Sequence, residues 1–207
     1  MQPGPRRRRR GWSGGLAKLE FGRYKGLLQP RSRSLRGPVP ATRQDLLARL
    51  AELGIATRTV DHEAVFTVAE SARLAPELPG GHTKNLFLKD RKGALFLVVA
   101  LGRAHIDLKS LHRVLGCDRL SFGKPELLME VLGVPPGSVT PFALINDTAC
   151  RVTVVLDADM MCHETLNFHP LENTASTNIK RDDLEAFIRA CGHEPRAIAV
   201  ATTAAQD

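Results

Sequence analysis

No apolar run in this 207-residue chain approaches the roughly 20 residues that a bilayer-spanning helix needs. A secretory signal is missing too, because the arginine run Arg6 to Arg10 is not followed by an apolar segment. Cysteine is sparse. Cys117, Cys150, Cys162 and Cys191 include no pair at CxxC spacing, which argues against a disulfide framework and for a reducing cytoplasm. The phosphate-binding GxxxxGK[ST] loop, the dinucleotide GxGxxG turn, the GxSxG nucleophile elbow and the HExxH zinc helix are all absent. Their absence removes the commonest nucleotide-binding and hydrolase classes.

What is present starts with an uneven charge. The chain carries a formal net charge of +7, but residues 1–40 hold 11 lysines and arginines against the single acid Glu20. That segment is therefore +10, and residues 41–207 are −3. A basic, Gly- and Pro-rich stretch with little apolar periodicity reads as an extension that does not order itself. Organelle targeting and sequence-independent nucleic-acid binding are the two functional readings it allows, and a dispensable extension is the plainer one. A mildly acidic body makes only local contacts with nucleic acid.

The body begins near Ala41. Thr42 caps a helix with the apolar stripe Leu46, Leu47, Leu50 and Leu53, ended by Gly54. Ile55 to Val60 reads as a strand, and Thr67 with Glu70 has the spacing of a capping box that opens a short helix. Pro76, Pro79, Gly80 and Gly81 mark a loop. Lys84 to Lys89 and Ala94 to Leu101 form a hairpin around Asp90-Arg91-Lys92-Gly93. Asp107 caps a helix bearing Leu108, Leu111, Val114 and Leu115, and Pro125 opens another that Gly133 closes. Leu120 to Phe122, Phe142 to Ile145, Arg151 to Leu156, Leu166 to Phe168 and Ala175 to Ile179 read as strands. Asp182 to Cys191 is a last helix, and the end frays from Ala199 to Asp207. Interleaved but irregular helices and strands predict an α+β fold with a mixed sheet.

Three segments carry chemistry. Lys84 at the head of an apolar strand, beside Asn85, offers a cation and an amide for a phosphate; a solvated lysine at a strand end is the plainer alternative. Gly137-Ser138-Val139-Thr140-Pro141 can present consecutive backbone N–H groups to a polarised carbonyl, or can simply be a turn. His169 before Pro170 is a loop histidine with polar neighbours. Cys162, His163 and His169 fall short of a recognisable zinc spacing, and nothing marks one cysteine as a nucleophile.

Taken together, Thr67 to Glu70, Thr83 to Leu88, Gly137 to Phe142, Phe168 to Thr174, Asp183-Leu184 to Phe187 and Gly192-His193 resemble the YbaK/prolyl-tRNA synthetase-associated family of aminoacyl-tRNA editing domains. The nearest likeness is to the freestanding branch that deacylates alanyl-tRNA for proline. The resemblance covers residues 42–195. It implies a mixed, partly barrel-like sheet with flanking helices in a domain spanning residues 41–198, and hydrolysis of a mischarged ester in the cytoplasm. It implies roles for Lys84 at the tRNA 3′ end, for the Gly137 to Pro141 turn at the ester, with Ser138 in the catalytic set, and for His169 and Asn85 in the pocket. Thr67, Phe66, Thr140, Pro141, Phe142 and Asn173 are the further substrate-binding candidates, and Val65 and Leu144 are candidate walls. No cofactor and no metal are expected. The tRNA 3′ end is the expected partner, and a transient association with an aminoacyl-tRNA synthetase is compatible with it. An activated ester needs an oriented water and a stabilised oxyanion rather than a nucleophilic triad. Two other readings stay open: deacylation of a cysteinyl or seryl ester, and a non-catalytic tRNA-binding module that relies on the basic extension.

Overall fold

The computed structural model describes residues 39–64 and 78–202. The expected helix at Thr67 to Glu70, the pocket candidates Val65, Phe66 and Thr67, and nearly all of the basic extension lie outside those residues.

Helix α1 (Arg43–Glu52) starts as its sequence dictates. The Thr42 side chain accepts from the Asp45 backbone, Asp45 answers the Thr42 backbone, and Leu46 and Leu50 are buried. Strand β1 (Thr57–Asp61) leads to β2 (Gly81–Asp90) and β3 (Leu95–Leu101). The β2–β3 hairpin closes where Asp90 donates to Ala94 O at 3.0 Å, and β2 begins at Gly81, three residues before the expected start. Helix α2 (Leu108–Leu115) is capped by Asp107 and stopped by Gly116 at φ +70°; Leu111 and Leu115 face inward, but Val114 is 48% exposed. Strand β4 (Leu120–Phe122) and helix α3 (Pro125–Leu132) follow.

Phe142 to Ile145 is not the expected strand. A 3-10 helix covers Pro141–Asn146, with Pro141 fixing its first turn and Thr140 Oγ1 accepting from Phe142 N at 3.3 Å. The fully buried run Pro141 to Leu144 satisfies its hydrophobicity either way, so apolarity does not separate the two conformations. The remaining elements are β5 (Val152–Asp157), a 3-10 turn at Met160–Cys162, β6 (Thr165–Phe168), β7 (Ala175–Lys180), α4 (Arg181–Ala190) and β8 (Arg196–Ile198). The last of these was not expected. Packing continues beyond Ala199, where fraying was expected to begin: Val200 is 4% exposed and its N–H donates to Asp157 Oδ1 at 3.0 Å.

The eight strands form one mixed sheet in the order β1-β7-β6-β2-β3-β5-β8, with β4 added on β2. Helices flank it, as an α+β chain requires. Strand β2 organises the site. Along one edge it pairs with β3; along the other it pairs with β6 at Gly81 and His82 and with β4 from Leu88 to Asp90. Its central residues therefore lie between two departing neighbours. Alternation sends Phe87 into the larger core, with Leu97, Val99, Phe142 and Phe187, and Leu88 into a second core with Phe96, Val98 and Leu111. No helix among the described residues is long and apolar enough to cross a membrane.

Candidate active site

The alternation that sorts the cores also sorts the site residues. Thr83, Asn85 and Phe87 share one face of β2; Lys84, Leu86 and Leu88 share the other. Adjacent positions that look like one motif in the sequence thus point apart.

On the Asn85 face, the amide Nδ2 donates to Val139 O at 2.9 Å. This bond pins the turn Gly137 to Pro141 against β2. It also sets the amide's orientation, because the other rotamer would place oxygen against oxygen. Among the described residues Asn85 Oδ1 is then buried with no hydrogen-bond partner. Gly137 has φ +89°, a left-handed conformation that glycine adopts at least cost. Ser138 is 3% exposed, and its N–H donates to Pro135 O at 3.1 Å. That N–H is already committed to the turn.

Thr140, Pro141 and Phe142 are buried. Phe142 meets Phe168 edge-on at 5.7 Å between ring centroids and Phe187 at 5.5 Å. It is a core residue whose packing supports the site from behind, as does Leu144 at 1% exposure.

His82, Thr83, Asn85, Asn167, Phe168, His169 and Ser176 line a narrow polar cleft. His169 Nδ1 lies 3.2 Å from Ala175 O, which closes the loop between β6 and β7. A carbonyl only accepts, so Nδ1 holds the proton and Nε2 is left as the basic nitrogen. Burial pushes the His169 pKa below its ordinary value; the Ala175 bond opposes this, and the nearby charge of His62 adds to it. Asn173 lies half-buried in the same loop. The neighbouring Glu172 is tied to α1 by an ion pair with Arg43 at 3.1 Å.

The floor of the cleft is a hydrogen-bonded network. Thr83 Oγ1 donates to Asn167 O at 2.8 Å, and Asn178 Nδ2 donates to Asn167 Oδ1 at 2.8 Å. His62 Nε2 lies 2.9 Å from Ser176 Oγ. These partners were not singled out from the sequence, because β1, β6 and β7 meet through pairings between distant segments.

Lys84 stands elsewhere. Its ammonium donates to Ala104 O, on the face that also carries Asp157. Burial lowers its pKa, and the Asp157 charge raises it in part. Asp157 is fully buried; Oδ1 accepts from Val200 N and Ala201 N, and Oδ2 has no hydrogen-bond partner among the described residues. The structure brings Asn85, the Val139 turn and His169 together and leaves the Lys84 ammonium on the far side of β2. Among the described residues no cluster of His, Cys, Asp and Glu suits a metal ion, and Cys117, Cys150, Cys162 and Cys191 are all free thiols.

A cleft of neutral amides, hydroxyls and a neutral imidazole can orient a water against an activated carbonyl. Comparison with known proteins agrees with that chemistry. Residues 62–187 match the aminoacyl-tRNA editing domain family. The chain is 35% identical over 157 residues to the prolyl-tRNA editing protein ProX of Acetoanaerobium sticklandii, covering 75% of this chain and 96% of that one. It is 39% identical over 155 residues to the zebrafish (Danio rerio) prolyl-tRNA synthetase associated domain-containing protein 1, covering 74% and 84%. The solved structure of hypothetical protein APE2540 shares the fold, with a TM-score of 0.59 at 20% identity over 74% of this chain and 97% of that one. The chain therefore belongs to the aminoacyl-tRNA editing domain family.

Proposed function

We propose that this chain is a trans-editing deacylase that hydrolyses the ester of alanyl-tRNA for proline. The observation that carries the reading is the cleft in which Asn85, held on Val139 O, shares its walls with His169. The buried, neutral His169 imidazole accepts a hydrogen bond at Nε2 and helps to hold the water in place, and the amide beside it orients the ester. The names of the two relatives support a tRNA substrate linked to proline. The tRNA 3′ end is the binding partner, and contact with the cognate synthetase is transient.

The cleft is narrow and polar, which suits a small aminoacyl side chain. A pocket rejects a larger group by shape better than it rejects a smaller one, so an editing site shaped to alanine spares proline. Lys84 serves the 3′ end from its own face of β2, where a cation beside a carbonyl can meet a phosphate. The four free thiols fit a reducing cytoplasm. Release of alanine from alanyl-tRNA for proline, with prolyl-tRNA as the control, tests this reading.

A further inference from the structure

Ser176 and His62 form a hydrogen-bonded pair at the cleft that the reading above does not use. Ser176 lies on β7, is 7% exposed, and lines the cleft beside His169 and Asn85. Its Oγ is 2.9 Å from His62 Nε2. His62 Nδ1 is 2.7 Å from Glu63 O, and the His62 backbone N–H donates to Thr174 O at 2.9 Å.

These contacts fix the direction of the protons. The Glu63 carbonyl only accepts, so Nδ1 carries the imidazole hydrogen. In the neutral ring Nε2 is then the acceptor, and the Ser176 hydroxyl donates to it. The arrangement is hydroxyl, imidazole and orienting carbonyl in series, which is how a positioned base activates an oxygen. With its own hydrogen on His62, Ser176 Oγ has lone pairs left to accept a hydrogen bond from a water in the cleft.

We infer that Ser176 and His62 act as the base relay for the attacking water in this editing site, with Ser176 touching the water and His62 positioning Ser176 and holding the proton. The inference rests on the deacylase reading. The water oxygen bonds to the ester carbon while its proton moves to Ser176 Oγ and the Ser176 hydroxyl proton moves to His62 Nε2. Collapse of the tetrahedral intermediate breaks the bond from carbon to the ribose oxygen. That oxygen takes the proton back along the same path, giving a free amino acid and a tRNA hydroxyl. Nothing is consumed but water.

Charged and titratable groups surround His62. The charge of His62 acts on His169, whose pKa it lowers. Asp61 and Glu63 flank it in the chain, while Arg43 on α1 is paired with Asp61 and Glu172.

The test is single-turnover deacylation of alanyl-tRNA for proline by the full chain. The variants are Ser176→Ala, His62→Gln and both together, each measured from pH 5 to 9. The expected result is a fall in kcat of about 100-fold for each single variant with KM unchanged. The double variant falls no further than the worse single. Ser176 bridges β1 and β7, so folding is checked by melting temperature, and His62→Ala is assayed with imidazole added to the buffer. Return of the rate with imidazole supports the relay. No rescue, a loss confined to KM, or a Ser176→Ala rate within threefold of the original overturns it. Absence of turnover in the unaltered chain overturns the deacylase reading and the relay with it, whereas full turnover in both single variants overturns the relay alone.

Discussion

Asn85 on β2 donates its amide to the backbone carbonyl of Val139 at 2.9 Å, across 54 residues of sequence. That one bond joins the strand supplying the cleft to the glycine turn beside it. It also leaves Asn85 Oδ1 buried without a partner among the described residues, an acceptor whose desolvation is offset when a donor arrives.

Replacing Asn85 by Ala frees the turn and leaves the Val139 carbonyl unpaired. Such a loss costs about 1–3 kcal/mol when the group stays buried. Deacylation should fall at least tenfold in kcat/KM. Asn85→Asp should be no better, because it sets a carboxylate oxygen against a carbonyl. A steady-state comparison of the two variants checks this, and unchanged kcat/KM in Asn85→Ala would remove the residue from the site.

Lys84 and Asp157 predict a pH effect. Burial lowers the lysine pKa, so a Lys84-dependent alkaline limb in kcat/KM should fall below the ordinary lysine value of about 10.4. The Asp157 carboxylate favours the ammonium, so Asp157→Asn should move the limb to still lower pH. Asparagine keeps an oxygen for Val200 N and Ala201 N, which limits the structural damage. A pH–rate profile of the two proteins decides it. Lys84→Ala should lose most activity through weaker binding of the tRNA 3′ end, read as a rise in KM.

His169 predicts a stability effect. Its folded pKa is depressed, so the folded state resists protonation. The stability this neutral histidine permits is fully present above the unfolded value of about 6.5 and is lost as pH falls from there through the folded pKa. His169→Gln should therefore lose less stability than the original chain between pH 6.5 and 5, as urea melts would show. Its turnover should drop modestly at neutral pH.

Phe142 is a test of the scaffold. Fully buried and edge-on to Phe168 and Phe187, it should cost about 3–5 kcal/mol when cut to Ala. Phe142→Leu should cost less. Denaturant melts measure both, and a loss under 1 kcal/mol for Phe142→Ala would mean that the three-ring cluster is not the support of the cleft.

Local rules made much of this architecture legible. Thr42 with Asp45, Asp107 with Gly116, and the turn Asp90 to Gly93 each declare a helix end or a hairpin through groups a few residues apart. The 3-10 helix at Pro141 was less legible, since four consecutive buried residues have no face to reveal a period. Asn85 and His169 were found from motif likeness, and the cleft does unite them. The separation of Lys84 from Asn85 follows from strand alternation, a signal present in the sequence but outweighed by their adjacency. The partners His62 and Ser176 are 114 residues apart, and only the β1–β7 register brings them together. No local pattern encodes a pairing of that range.

The most direct measurement is hydrolysis of alanyl-tRNA for proline by the full chain, with correctly charged prolyl-tRNA beside it and a chelator in duplicate reactions. Rapid release of alanine with proline spared, and no effect of the chelator, is the predicted result. Equal stability of both esters in the presence of the protein would contradict it.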